Sequence, residues 1–261
     1  MDILNLSGRT ALVTGAGQGV GRQTAFLLAA YGAKVVVNDY FAERAEAVAD
    51  DINREHPGSA IALAADVSDF ASVQAMADRA RSLAGPVGVL VNNAGNAGAT
   101  ASGLTGKPFW EQDPSEWNAW ISVNFYGVLN CCRAFLPGMI EAGAGSIVNV
   151  ISDAGRVGEP NIEVYSGAKA GAAGFTRGIA RSVGRFKVRA NCVAISATRT
   201  PATENALANP EFAKRALSKY VLRRFGEPSD VANMVLFLAS EASSWVTGQT
   251  YPVNGGYDMA M

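Results

Sequence analysis

The chain has 261 residues, 49% of them hydrophobic and 17% charged, which suits one large α/β domain with a sizeable core. A net charge of −1 argues against nucleic acid or an anionic membrane surface as the main partner, and no apolar run reaches membrane-spanning length. The single histidine, His56, sits in the turn-like Glu55-His56-Pro57-Gly58, and Cys131, Cys132 and Cys192 have no ligand spacing, so no metal and no histidine-based triad is expected. The cysteines read as small core residues in a reducing compartment, and Met1-Asp2-Ile3-Leu4-Asn5 carries no basic region followed by an apolar one, so a cytoplasmic location is expected.

Residues 9–14 form a short apolar run that ends in Thr14-Gly15-Ala16-Gly17-Gln18-Gly19-Val20-Gly21, and a helical pattern then runs to about Tyr31. Strand, glycine turn and helix in that order let backbone approach a phosphate at a helix N-terminus. Taken alone, an ordinary glycine-rich turn competes with that reading. Residues 33–38 read as a second buried strand, followed by Asp39, 24 residues after Gly15. A carboxylate there accepts hydrogen bonds from the ribose hydroxyls of an adenosine and repels a 2′-phosphate. Gln18 and Tyr40 flank the same place, and no basic residue is expected there to neutralise the extra phosphate of NADP.

The alternation continues. Helix patterns near 42–55 and 69–83 flank a strand at 59–65 that leads to Asp66-Val67, and a strand at 87–91 ends in Asn92-Asn93-Ala94-Gly95. A long loop at 96–114 precedes a long helix over about 115–142. A strand at 145–151 ends at Ser152, a helix carrying Tyr165 runs to about 184, and the strands at 188–194 and 249–253 follow, with a mostly helical stretch at 201–223 and a helix at 228–239 between them. Repeated β-α units predict a parallel sheet covered on both faces.

Tyr165 and Lys169, in Val164-Tyr165-Ser166-Gly167-Ala168-Lys169, are four apart and share one helix face. A free phenol holds its proton to pH ~10, and an ammonium one turn away is expected to lower that value. A hydroxyl such as Ser152 then holds a substrate oxygen while the tyrosine moves its proton.

In order and spacing these segments resemble the short-chain dehydrogenase/reductase family over nearly the whole chain. Thr14-Gly15-x-x-x-Gly19-x-Gly21 is similar to its cofactor loop, Asp66-Val67 to its adenine-side contact, Asn92-Asn93-Ala94-Gly95 to its NNAG segment, and Asn124 in Val123-Asn124-Phe125-Tyr126-Gly127 to its catalytic asparagine. Ser152, Tyr165 and Lys169 match its serine and Y-x-x-x-K pair, and Arg224-Phe225-Gly226-Glu227-Pro228 and Thr247-Gly248-Gln249 its C-terminal segments. The resemblance implies a single-domain Rossmann fold, a doubly wound parallel sheet of about seven strands with helices on both faces. It implies NAD as cofactor, held by Gly15, Gln18, Gly19, Val20, Gly21, Asp39, Tyr40, Asp66, Val67, Asn93, Ala94 and Gly95 together with Tyr165, Lys169, Thr198 and Thr200. It assigns Tyr165 as acid or base, Lys169 to the nicotinamide ribose, Ser152 to the substrate oxygen and Asn124 to a water-linked proton relay.

One departure stands out. Where the family carries N-x-V-x-P-G-x-x-x-T, this chain has Asn191-Cys192-Val193-Ala194-Ile195-Ser196-Ala197-Thr198-Arg199-Thr200, with Ile195 and Ser196 in place of Pro-Gly at the turn that carries the nicotinamide amide. Ser152-Asp153-Ala154-Gly155-Arg156-Val157-Gly158 with Glu163-Val164-Tyr165 resembles the members that oxidise 2-hydroxycyclohexanecarboxyl-CoA and related cyclic acyl-CoA thioesters. Arg156 is then a candidate for the anionic part of the substrate or, equally, a surface or subunit-contact arginine. Phe109 and Trp110 are candidates for a hydrophobic pocket or for core packing, and residues 195–223 for a substrate cover. A 3-oxoacyl (acyl-carrier protein or CoA) reductase, a hydroxysteroid dehydrogenase and a nucleotide-sensing binding protein are the alternatives. Alanine- and glycine-rich helices at 115–142 and 163–184 imply, with the family, a homotetramer acting on a small molecule.

Overall fold

Ala11-Leu12-Val13, Val35-Val36-Val37 and Val89-Leu90-Val91 show none of the polar alternation of a sheet with one wet face, and all of these side chains are fully buried. In the computed structural model, which describes residues 2–95 and 107–259, they are the centre of a parallel sheet. The elements run β1 (Thr10–Val13), α1 (Gly19–Ala30), β2 (Lys34–Asp39), α2 (Ala42–Glu55), β3 (Ala60–Ala64), α3 (Phe70–Ala84), β4 (Val87–Asn92), α4 (Trp117–Ile121), α5 (Gly127–Ala142), β5 (Gly145–Ser152), α6 (Ala154–Val157), α7 (Glu163–Val183), β6 (Val188–Ile195), α8 (Glu204–Ala208), α9 (Pro210–Leu217), α10 (Pro228–Ala239) and β7 (Thr250–Val253). The seven strands lie in the order β3-β2-β1-β4-β5-β6-β7, all parallel, as the repeated β-α pattern predicts.

Successive residues of each strand face opposite layers. Leu12, Val36, Leu90 and Ile147 pack into a core with Met76, Phe135 and Met139, from α3 and α5, and with Ala172 from α7. Val13, Val37, Val91 and Val148 pack into a second core with Leu28, Ile52 and Val235, from α1, α2 and α10. The three cysteines are buried in the first layer or beside it, as expected, and burial raises all three thiols, Cys132 to about 12. Asn191, a residue of the family pattern, ties β6 to the start of β7, because its Nδ2 donates to the Val246 carbonyl and its Oδ1 accepts from the Gln249 amide.

One expectation is corrected. The long helix at 115–142 is α4 and α5 separated by a π-helical turn over Ser122–Tyr126. There the Asn124 Nδ2 donates to the Trp120 carbonyl at 2.8 Å, so a side chain enters the backbone ladder. The stretch at 201–223 is mostly helical as expected, over α8 and α9, before Tyr220 to Arg224 turn back toward the sheet end.

Candidate active site

The sheet order reverses between β1 and β4, and the residues that follow β1 to β6 line one cleft of about 580 Å³ at the carboxyl ends of the strands. Gly15 and Gly19 have φ of 61° and 55°, and a Cβ on Gly21 would fall 2.3 Å from the Gly15 carbonyl, so only glycine lets this loop lie flat on the sheet end. No side chain caps the start of α1, and Gln18, Gly19 and Val20 line the cleft there, leaving helix-start amides for an anion. Asn93 Nδ2 donates to the Thr14 and Gly15 carbonyls, and Thr14 Oγ1 accepts from the Asn93 and Ala94 amides, which locks the ends of β1 and β4 together.

Asp39 is nearly buried at the end of β2 and accepts from the Gly17 amide at 3.0 Å and the Phe41 amide at 3.1 Å. Tyr40, Asp66 and Val67 line the cleft with it; Asp66 Oδ1 accepts from the amide and hydroxyl of Ser68. Arg44, in the first turn of α2, also lines this end, its guanidinium 4.4 Å from the centre of the Phe41 ring. The expectation that no basic group stands here is therefore corrected. The signal for Arg44 lies in its position: the first turn of a helix that follows a strand opens at the same sheet end as that strand's last residue.

At the other end Ser152 closes β5, and Tyr165 and Lys169 share a face of α7, so the cleft brings the three together as the spacing predicts. The Lys169 Nζ lies 5.8 Å from the centre of the Tyr165 ring and donates to the Val150 carbonyl at 3.0 Å. Trp120 meets the same ring edge-on at 5.6 Å, a contact the sequence did not suggest. A Cβ on Gly95 would fall 2.9 Å from both Asn124 Oδ1 and Lys169 Nζ, so Gly95 leaves room for these two polar groups to converge. Thr198 and Thr200 line the cleft after β6, Thr198 Oγ1 donating to the Ser196 carbonyl and Thr200 Oγ1 sharing a hydrogen bond with Thr203 Oγ1.

The electrostatics reverse one expectation. Burial raises the Tyr165 phenol above its ordinary value, and the Ser152 hydroxyl pulls it back only in part, so the lowering expected from Lys169 does not set the direction. Burial also brings Lys169 down to about 8 from its ordinary 10.5. Between those two values the unfolded chain binds the proton that the folded chain has lost, so this lysine's contribution to stability rises with pH across that window. Without added nucleotide, the stability of the wild type relative to Lys169→Met is expected to increase from about pH 8 to 10.5; urea titrations that give a flat or falling difference contradict the burial of the ammonium.

Other candidates lie elsewhere. Arg156 does not line the cleft. Its Nη1 is 2.6 Å from Asp153 Oδ1 and its Nη2 3.0 Å from Asp258 Oδ2, so two carboxylates already hold the charge that the sequence offered to an anionic substrate. Trp110 is 81% exposed and Phe109 stacks on Trp117 at 5.4 Å, neither buried in the core nor lining the cleft. Residues 96–106 of the long loop lie outside the described residues. Among the described residues no helix is long and apolar enough to cross a membrane, and no His, Cys, Asp or Glu cluster could hold a metal.

Known proteins resemble this chain over nearly its whole length. A family model described as enoyl-(acyl carrier protein) reductase matches residues 15–258. The 7α-hydroxysteroid dehydrogenase of Escherichia coli (strain K12) is 35% identical over 255 residues, covering 98% of this chain and 96% of that protein. The solved structure of a 7α-hydroxysteroid dehydrogenase complexed with NADH and 7-oxo glycochenodeoxycholic acid has a TM-score of 0.90 at 35% identity, over 98% of this chain and 96% of that one. The 3-oxoacyl-[acyl-carrier-protein] reductase FabG of Thermotoga maritima is 36% identical over 254 residues, 97% of this chain and 99% of that protein. A gluconate 5-dehydrogenase from Burkholderia cenocepacia J2315, in complex with NADP and tartrate, has a TM-score of 0.92 at 32% identity, over 100% of this chain and 99% of that one. With the ordered motifs and the seven-stranded sheet, these matches show that the chain is an oxidoreductase of the short-chain dehydrogenase/reductase family.

Proposed function

We propose that the protein is an NAD-dependent enzyme that interconverts a secondary alcohol and a ketone on a bulky hydrophobic or ring-containing substrate. The observation that carries this reading is the convergence of Ser152, Tyr165 and Lys169 at one end of a cleft whose other end holds Asp39. The residues present fit a dinucleotide. Gly15, Gln18, Gly19, Val20 and Gly21 would hold its pyrophosphate, and Asp39 and Tyr40 the adenosine ribose. Asp66 and Val67 would border the adenine, and Asn93, Ala94 and Gly95 would line the floor. Thr198 and Thr200 would meet the nicotinamide amide. When bound, the cofactor supplies or accepts the hydride.

The protein's own work is on the proton. Ser152 holds the substrate oxygen, and the Tyr165 hydroxyl gives its proton to that oxygen in reduction or takes it in oxidation. A phenol raised by burial is protonated near neutral pH, which favours the donor role. Lys169 holds the nicotinamide ribose, and its ammonium stabilises a phenolate once one forms. Asn124, beside Lys169 at the Gly95 gap, belongs to the path that returns the proton to solvent.

The substrate follows from the reacting end. Among the described residues Lys169 is the one charged side chain lining it, beside Ala119, Val123 and Ile195, and Arg156 is already neutralised. The reacting carbon's neighbours are therefore uncharged. A cyclic hydroxyacyl-CoA thioester is our leading substrate, with a hydroxysteroid or a 3-oxoacyl thioester as the second reading that the relatives favour; residues 195–223 would cover it. A screen following nicotinamide absorbance with cyclic hydroxyacyl-CoA thioesters, steroids and simple secondary alcohols tests this. Turnover of the ring-containing compounds is expected. NADH binding without turnover of any substrate would instead support a nucleotide-sensing role.

We also propose a cytoplasmic homotetramer. Gly167, Gly174 and Gly178 lie along α7 with little or no protein packed over them, which leaves space for a helix of a second copy. Light scattering at micromolar concentration is expected to give four times 27.2 kDa; a monomer refutes it.

A further inference from the structure

The turn after β6 lacks the Pro-Gly of the family pattern, and the chain holds it by other means. Tyr220, 3% exposed and packed edge-on against Phe225 at 6.2 Å, sends its hydroxyl to this turn. The Ala197 amide donates to that hydroxyl at 3.0 Å, and Ser196 Oγ shares a hydrogen bond with it. The carbonyls of the turn are tied as well. The Asp153 amide donates to the Ile195 carbonyl, Thr198 Oγ1 to the Ser196 carbonyl, and the Gly226 amide to the Ala197 carbonyl. Two residues of the segment that follows α9 reach the turn, Gly226 by its backbone and Tyr220 by its side chain, and Ser196 and Ala197 line the reacting end of the cleft. The phenolic oxygen thus accepts from the Ala197 amide and shares one proton-mediated contact with Ser196 Oγ, so a single hydroxyl ties both the backbone and a side chain of the turn.

We propose that Tyr220 is a positioning residue for the nicotinamide. Its hydroxyl fixes residues 195–197 by hydrogen bonds where a proline ring would fix them covalently, and it couples the segment after α9 to the cofactor's reacting end. The inference rests on the reading that a nicotinamide lies against this turn.

The test is Tyr220→Phe, which keeps the ring and removes both hydrogen bonds. Kd for NADH by fluorescence is expected to weaken about tenfold, as the loss of a buried hydrogen bond implies, while Kd for ADP-ribose, which lacks the nicotinamide, stays within about twofold. Adding Ile195→Pro and Ser196→Gly to Tyr220→Phe is expected to restore NADH binding, because the turn regains covalent stiffness. Should that triple variant not fold, the NADH to ADP-ribose split of Tyr220→Phe alone decides. Unchanged NADH binding, or equal weakening of both ligands with a fall in Tm, overturns the proposal. Failure of the wild type itself to bind NADH overturns the underlying reading and the proposal with it.

Discussion

Tyr165→Phe is expected to lower kcat by about 10²–10⁴-fold, the contribution of a general acid or base, while NADH binding stays within about twofold. The ring keeps its edge-on contact with Trp120 and its place beside Lys169, so only the titrating hydroxyl leaves. The expected loss corresponds to roughly 3–5 kcal/mol of transition-state stabilisation. Stopped-flow mixing with NADH separates binding from turnover in the same sample. Activity near that of the wild type would show that the proton moves through another group. Lys169→Met is expected to lose turnover and nucleotide affinity together, because the amine serves the phenol and the ribose at once. A loss confined to one of the two would mean that Lys169 serves only the partner that changed.

The second large effect is in cofactor choice. A 2′-phosphate beside the Asp39 carboxylate meets like charge in a partly desolvated place, at a cost of roughly 1–3 kcal/mol. Loss of the ribose hydrogen bonds to a charged acceptor adds about 1.5–3 kcal/mol. Together they imply a preference for NADH over NADPH, in kcat/KM, on the order of a hundredfold, reduced from the top of that range by the Arg44 guanidinium on the same wall. Arg44 also changes the design of the test. Sequence reasoning would supply a cation through Tyr40→Arg; with Arg44 in place, Asp39→Ser alone is expected to relax the preference, and Tyr40→Arg added to it to reverse the preference. Asp39→Asn removes the charge and keeps an acceptor for one of the Gly17 and Phe41 amides while facing the other with an NH2 donor, so it is expected to relax the preference with some loss of affinity for both cofactors. Equal use of the two cofactors by the wild type would refute the assignment of Asp39 to the adenosine ribose.

The sheet and the reacting triad were legible because both depend on local pattern. Short, continuous and β-branched apolar runs such as Val35-Val36-Val37 read as strands buried on both faces, and a spacing of four puts Tyr165 beside Lys169 on any helix. What the sequence concealed depends on how distant elements meet. The direction of the Tyr165 shift is set by how deeply α7 is buried, which spacing does not encode. Arg156 reads as a free cation until the tail brings Asp258 to one side of it and the end of β5 brings Asp153 to the other. Tyr220 sits in a stretch with no motif at all, and its partners at Ser196 and Ala197 are found only by following the chain back to the sheet end. Arg44 was hidden for a milder reason: its guanidinium reaches the cleft by stacking on Phe41, a neighbour with no motif of its own.

The π-helical turn between α4 and α5 bears on how this stretch can vary. A π turn carries one residue more than the α-helix around it, and within this one the Asn124 side chain donates to the Trp120 carbonyl. Deleting any one residue of 122–126 would let the ladder close as continuous α-helix and rotate α4 by about 100° relative to α5, swinging Trp120 away from the Tyr165 ring. A half-exposed side chain such as Tyr126 can be exchanged without disturbing that arrangement. Here the count of residues is constrained together with the identity of Asn124, so the segment should accept substitutions at exposed positions such as Tyr126 and reject insertions and deletions.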